Sequence, residues 1–483
     1  MPAQTNGTPS GPVPLWINGK EVTTSTTFDV QNPTDNAPLW PSSSVSKKEA
    51  QQAVDAAQTA FKTWRQTKPS TIQTIMLKAA DLMSQRRDEL ATYMQRETGA
   101  LRPFTDFNID TTIDNIRDVA GRAADIHGII PPTKTPGQGA FIFKEPYGVI
   151  LGIAPWNAPY ILGVRSFLYA LAAGNTAVVK GPELSPRTYW AIGSIFQEAG
   201  LPDGVLNIIY HRPSDAAEIT NFLIEHPAIK KVNFTGSTLV GSLIASKAGK
   251  ELKPVLMELG GKASAIVCAD ANIPHAAFQC ALGAFLHAGQ ICMSTERILV
   301  AREILEPFTI ALKDAADKIY AADADAPVLI AKPGVQKNQA LREDALAKGA
   351  RILHGAGTND QETSPYRIRP TILTDITREM DIFHTESFGP TVSLIPISSD
   401  EEAIDLANDT EYGLSGAVFT ESLARGLKIA RGVDSGAVHV NSMTVHDEAL
   451  LPHGGVGKSG WGRFNGQWGM EEFLKLKTVS YME

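Results

Sequence analysis

From Gly148 onward short apolar runs alternate with helix-like segments, and this alternation constrains the fold more than any other feature of the chain. Val149–Ala154, Thr176–Lys180, Val205–Ile209, Val232–Thr235 and Ala265–Val267 are apolar at successive positions, as strands covered on both faces are. Between them, Val164–Ala172, Pro186–Glu198, Ala216–Glu225 and Leu239–Lys247 read as helices. A series of βαβ units of this kind predicts an α/β fold with a Rossmann-like, doubly wound dinucleotide-binding sheet. After Asn272 a second alternating region predicts strands at Ile298–Ala301, Pro370–Leu373, Thr391–Pro396, Gly416–Thr420 and Ala437–Asn441, hence a second α/β domain.

The remaining segments fit around these two sheets. Asn18-Gly19 predicts a hairpin turn, and Ser46 with Glu49 forms a capping box ahead of a helix whose apolar face carries Ala50, Val54, Ala57 and Phe61. A further helical stretch runs from about Thr71 to Glu97, so the first hundred residues read as mostly helix. Gly128–Lys144 and Lys475–Tyr481 are extended and alternating; exposed edges of this kind pair with something, and a small β oligomerisation arm is expected. The expected boundaries are 1–125 and 148–260 for the dinucleotide-binding domain, 261–450 for a catalytic domain, 451–466 for a return segment, and 126–147 with 467–483 for the arm.

Bulk properties narrow the function classes. A chain of 483 residues that is 43% hydrophobic can bury two or three cores. The formal net charge of -8 is mild and no long block of one sign occurs, so neither a nucleic acid nor a membrane surface is the expected partner; a small molecule is. The most hydrophobic stretch, Val149 to Val164, is broken by Pro155, Asn157 and Pro159 and followed by Arg165, which rules it out as a membrane span. The N-terminus lacks a signal-peptide pattern, and Cys268, Cys280 and Cys292 include no C-x-x-C pair, so a reducing, cytoplasmic setting without a metal site is expected.

Three strings stand out: IAPWNAP around Asn157, MELGGK around Glu258 and GQICMS around Cys292. Cysteine sulfur is a strong nucleophile near neutral pH, and Cys292 follows a Gly-Gln turn, whereas Cys268 in a strand-like run and Cys280 on an apolar helix face read as core residues. Asn157 lies in a loop between two prolines after a strand end, and Glu258 precedes the Gly260-Gly261 pair in what reads as a loop, where glycines permit close approach to a substrate. Together with NFTGST at Asn233–Thr238 and ESFGP at Glu386–Pro390, in this order, these strings resemble the signature set of the aldehyde dehydrogenase superfamily.

The resemblance implies oxidation of a small-molecule aldehyde to the acid through a thioester on Cys292, with Asn157 and the Cys292 backbone N–H at the oxyanion. Glu258 is then the base for the hydrolytic water, with a pKa raised toward neutrality by burial. TGSTLVG offers a helix N-terminus, flanked by Gly236 and Gly241 and carrying Ser237, to a pyrophosphate. Lys180 and Glu183 match the family's adenosine-ribose pair, Glu386 the nicotinamide-ribose carboxylate, and Trp156 and Phe388 pack near the cofactor. A carboxylate at the ribose favours NAD over NADP, with NADP left open by the neighbouring lysine. Assembly as a homodimer or homotetramer is expected.

NAPYILGVR and NSMTVHDEA are most similar to the branch acting on benzaldehyde-type substrates, the salicylaldehyde and vanillin dehydrogenases. On that likeness the substrate pocket takes Tyr160, Arg165, Ile291 and His446, with an aromatic ring stacked on Tyr160 and a phenolic oxygen bonded to His446 or Arg165; alternatively Arg165 pairs with an acid and His446 with a backbone carbonyl. His453 stands where the family more often has phenylalanine. The alternatives are an aliphatic or semialdehyde dehydrogenase, a coenzyme-A-acylating enzyme, which Glu258 argues against, and a catalytically silent structural member.

Overall fold

The computed structural model describes residues 11–321, 324–355 and 364–483. Its first sheet has eight strands, and the five parallel ones at its centre run, in spatial order, Leu206–Ile209, Thr176–Lys180, Val149–Ile153, Ile229–Thr235 and Val255–Glu258. The order reverses between Val149–Ile153 and Ile229–Thr235, the switch point at which a doubly wound sheet opens a crevice beyond its carboxyl edge. Every residue of Val149–Ile153 is buried, which explains why its sequence shows no alternation.

Two expectations needed correction. Ala263–Val267, read in series with the first sheet, is a strand of the second. The fifth parallel strand of the first sheet is instead Val255–Glu258, so Glu258 ends a strand and does not lie in a loop. Its outer edge is covered by Gly460–Trp461, with Glu258 opposite Gly460 and Met257 opposite Trp461.

The second sheet runs Arg351–His354, Thr371–Thr374, Thr391–Ile397, Thr295–Ala301, Ala263–Val267, Ser415–Phe419 and Ala437–Val440, parallel except for its first pair. Apolar side chains of Ala263–Val267 and Thr295–Ala301 feed separate clusters on its two faces, so helices cover both.

Near the N-terminus Leu15–Ile17 and Lys20–Val22 form the expected hairpin, with Asn18 and Gly19 at φ 53 and 70°, as a type I′ turn demands. The capping box of Ser46 and Glu49 is present at the helix Lys47–Trp64, in which Phe61 is only half-buried. The helical stretch divides into Pro69–Gln85 and Arg87–Thr98. Strands Thr27–Gln31 and Pro38–Ser43 precede these helices, so the first hundred residues hold more strand than their composition indicates. Gln138–Pro146 and Leu474–Met482 pair antiparallel along their whole length as an isolated two-stranded ribbon. No helix among the described residues is long and apolar enough to cross a membrane.

Candidate active site

Cys292 is presented by an unusual turn. After the helix Ile273–Phe285 the chain passes through His287, Ala288 and Gly289 at φ 48, 54 and 73°. A left-handed residue other than glycine costs about 1–2 kcal/mol, so this turn holds only because its surroundings impose it. The His287 ring stacks on Phe104 with centroids 4.5 Å apart, and a Cβ on Gly289 would lie 2.2 Å from the Gly389 carbonyl oxygen. The Gln290 amide then ties the loop down, donating to the carbonyls of His287 and Val328 and accepting from the Ile330 N–H at 3.0 Å. Burial drives the pKa of His287 down to about 3, so the ring is a neutral packing element.

The three catalytic candidates converge. Asn157, just past the end of Val149–Ile153, is buried and donates from Nδ2 to the Gln290 carbonyl at 2.9 Å. That bond uses one of the two amide hydrogens. Glu258 is wholly enclosed, and its Oε1 accepts from the Cys292 thiol at 3.0 Å, while His453 Nε2 lies 3.6 Å from the same oxygen. Glu258 Oε2 has no hydrogen-bond partner among the described residues. Cys292 retains a partly open surface, whereas Cys268 and Cys280 are buried and free.

The two titrating partners at the centre move in opposite directions. Burial by itself would raise Glu258, but His453, the Arg165 guanidinium and the Cys292 thiol hold its carboxyl below the ordinary range, which corrects the expectation of a pKa near neutrality. Burial, then the adjacent Glu258 charge and its hydrogen bond, push the Cys292 thiol well above its usual value. Both shifts place the proton on sulfur and leave the carboxylate ionised beside it.

Gly260 and Gly261 serve a closeness different from the one expected. A Cβ on Gly260 would lie 2.8 Å from a Glu386 carboxylate oxygen, and one on Gly261 would lie 2.5 Å from the Cys292 carbonyl oxygen. The pair therefore lets the second-domain segments bearing Glu386 and Cys292 close onto the end of the Glu258 strand. Glu386 accepts from the Gly261 N–H at 2.8 Å, and burial raises its pKa to about 7. The support for this segment is a buried pair whose acidic member, Glu296, lies outside every string singled out in the sequence. Lys262 Nζ meets Glu296 Oε2 at 2.7 Å and the Thr385 carbonyl at 2.8 Å, and Glu296 Oε1 accepts from Ser387 and Phe388.

The cofactor candidates lie at the ends of the central strands and on the segments that follow them. Ser237 is exposed and caps the helix Thr238–Lys250, accepting from the Val240 N–H. A Cβ on Gly241 would strike the Leu259 side chain at 2.5 Å, and one on Gly236 the Phe234 ring at 2.6 Å, so both glycines set how closely the helix meets the sheet. Lys180 ends its strand with Nζ 2.8 Å from His211 Nε2; burial lowers Lys180 to about 8 and His211 to about 4. Trp156 and Phe388 meet edge to face with centroids 6.0 Å apart. An exposed helix N-terminus with a hydroxyl, a carboxylate at Glu183, and a buried carboxyl at Glu386 form a donor and acceptor set that fits a dinucleotide's phosphates and two riboses.

The sequence profile of the aldehyde dehydrogenase family matches residues 16–479. The chain belongs to this family. Among curated members, vanillin dehydrogenase of Pseudomonas sp. (strain HR199 / DSM 7063) is 41% identical over 475 residues, covering 97% of both chains. Salicylaldehyde dehydrogenase of Pseudomonas putida is 37% identical over 475 residues, covering 96% of this chain and 97% of its own. Among solved structures, salicylaldehyde dehydrogenase from Pseudomonas putida G7 complexed with salicylaldehyde superposes with a TM-score of 0.93 at 36% identity, covering 97% of this chain and 98% of that one. Betaine aldehyde dehydrogenase from Staphylococcus aureus in complex with NAD+ gives 0.91 at 30% identity, covering 98% and 95%.

Against this aldehyde dehydrogenase frame, the expected pocket residues divide. Tyr160 has no exposed surface and its hydroxyl donates to the Leu90 carbonyl at 2.7 Å, so it offers no face on which a substrate ring could stack. All seven residues of its helix, Pro159–Arg165, are buried, and Tyr160 belongs to the core. Arg165 is enclosed as well and pairs with Asp447, with the Phe464 ring 5.4 Å from its guanidinium carbon. Of the two readings of Arg165 the pairing with an acid is the one seen, and its guanidinium also sets positive charge near Glu258. Ile291 is buried beside Cys292, while His446 is half-exposed with its ring 4.5 Å from that of His439.

Replacing Lys262 with methionine is expected to destabilise the protein by about 3–5 kcal/mol, because Glu296 is left as a buried charge without its partner. The segment Thr385–Phe388 should loosen at the same time, so a thermal melt and an NAD titration should both register the change. An unaltered melting midpoint would refute the structural role given to the pair.

Proposed function

We propose that this chain oxidises an aromatic aldehyde to its carboxylic acid, using a nicotinamide dinucleotide and Cys292 as nucleophile. The observation that carries the reading is the direct contact of the Cys292 thiol with the Glu258 carboxylate, beside an Asn157 amide held in place by Gln290. In the first step the thiol proton passes to Glu258 Oε1 as sulfur attacks the carbonyl carbon. The free Asn157 N–H and the Cys292 backbone N–H then stabilise the alkoxide; one such donor is worth about 3–4 kcal/mol of barrier. When bound, the cofactor supplies the hydride acceptor that turns the adduct into a thioester. Once its first proton has left for solvent, Glu258 takes a proton from the attacking water, and the acid departs as sulfur regains its hydrogen.

NAD is preferred over NADP in this reading because the Glu183 carboxylate repels a 2′-phosphate, while Lys180 is engaged with His211. Aromatic specificity follows from the names of the vanillin, salicylaldehyde and benzaldehyde dehydrogenases to which the chain is similar. Ile291 and His446 border the aldehyde in this reading, with His446 the polar group available to a phenolic oxygen. The domain boundaries given by the sequence are retained. The isolated ribbon exposes Phe141, Phe143, Leu476, Val479, Tyr481 and Met482, and a second copy of the chain is its proposed partner, in a homodimer or homotetramer. Three free cysteines accord with a cytoplasmic location.

A panel of salicylaldehyde, vanillin, benzaldehyde, acetaldehyde and betaine aldehyde, each with NAD and NADP, tests the proposal. The aromatic aldehydes with NAD should give kcat/KM at least about tenfold above the others, the discrimination that one or two well-filled pocket contacts provide. A preference for acetaldehyde or betaine aldehyde would overturn the substrate class, and NADH formed only in the presence of coenzyme A would overturn hydrolysis.

A further inference from the structure

The Glu258 carboxylate is wholly buried, yet the hydrogen bond it receives at Oε1 comes from the thiol that is consumed in the reaction. Once sulfur is acylated it carries no hydrogen, and that bond vanishes at the stage where Glu258 must hold a water. Arg165 donates to Asp447 and reaches Glu258 through its charge alone, not by a hydrogen bond. The group that remains at Oε1 is His453, with Nε2 3.6 Å away and its side chain almost fully enclosed.

The fold fixes His453 there through the backbone. Its N–H donates to the Phe464 carbonyl at 3.1 Å and the Phe464 N–H returns the bond at 2.8 Å, closing a loop onto Gly460–Trp461. That strand pairs directly with the strand ending in Glu258. Imidazole and carboxylate are thus set against each other by sheet register, across 195 residues of sequence.

We propose that His453 is a positioning residue for Glu258, holding its carboxylate toward Cys292 when the sulfur is acylated and can no longer do so. The inference rests on the reading of Cys292 and Glu258 as nucleophile and base. The charged and titratable groups around the contact are Cys292 and Arg165 on the Glu258 side, and Asp447 and His439 on the His453 side.

Three proteins test it: wild type, His453→Phe, which keeps the bulk, and His453→Gln, which keeps a side-chain N–H donor. The phenylalanine variant should acylate normally but deacylate slowly. Steady-state turnover with salicylaldehyde and NAD should fall roughly tenfold with little change in KM, since a slightly misplaced base loses one to two orders of magnitude. Acylated Cys292 should accumulate in acid-quenched samples read by mass spectrometry. Without its polar neighbour the Glu258 anion is less stabilised, so the acid limb of Cys292 alkylation by iodoacetamide should move to higher pH. The glutamine variant should recover most of the turnover.

Wild-type turnover and an unmoved alkylation limb in His453→Phe would overturn the proposal, as would a glutamine variant as slow as the phenylalanine one. Failure of the underlying reading looks different: no acylated Cys292 in any variant, and oxidation that survives loss of the cysteine.

Discussion

Cys292→Ala is expected to abolish aldehyde oxidation, with turnover falling by roughly 10⁴-fold or more, while NAD binding is retained. The expectation follows from where the sulfurs lie. Burial pushes the Cys268 thiol up to about 12 and Cys280 higher still, and both side chains are enclosed in the core. Cys292 alone of the three keeps an open face, next to a carboxylate that can take its proton. The substitution removes that proton's source but leaves the Gln290 carbonyl, Asn157 and the switch-point crevice as they are, so binding should not follow activity down. An NADH progress curve and an NAD fluorescence titration on the same preparation make the comparison. Turnover persisting in the alanine variant would mean that another atom attacks the aldehyde.

How far the sequence discloses this site depends on the range of the forces that build it. Strands buried on both faces, such as Thr176–Lys180, announce themselves as apolar runs, and the Asn18-Gly19 turn and the Ser46 cap are local chemistry. Val255–Glu258 escapes notice because its pairing is non-local: one neighbour is Ile229–Thr235 and the other is Gly460–Trp461, some two hundred positions on. Tyr160 is misjudged for a related reason. A short helix buried on every side has no polar face by which sequence could tell pocket from core. Family strings single out Cys292, Asn157 and Glu258, which the fold brings near one another, yet they say nothing of the sign of the Glu258 shift. That sign comes from Arg165 and His453, which approach from distant segments. The left-handed turn at His287 and Ala288 leaves little trace either, because alanine disfavours it and packing enforces it.

Glu258→Gln should separate the two halves of the reaction. Glutamine keeps the side chain's shape and an acceptor at Oε1, but it cannot take a proton from water, so steady-state turnover should fall by about 10²–10⁴-fold, the usual contribution of a general base. The first half should survive. In the wild-type site the Glu258 anion is one of the reasons the thiol holds its proton so tightly. Removing that charge lowers the Cys292 pKa toward that of an ordinary thiol, so the thiolate can form by losing its proton to solvent. A stopped-flow trace should then show a burst of about one NADH per site followed by a stall. The sign of its pH dependence follows: burst rate should rise with pH through the new thiol pKa, since the thiolate is the attacking form and no carboxylate remains to generate it. Glu386 is the rival base, with its pKa raised to about 7 by burial, but its Oε1 is engaged by the Gly261 N–H. If the glutamine variant turned over at the wild-type rate, Glu386 would have to be the group that activates water. The contact between Cys292 and Glu258 would then serve the thiol alone.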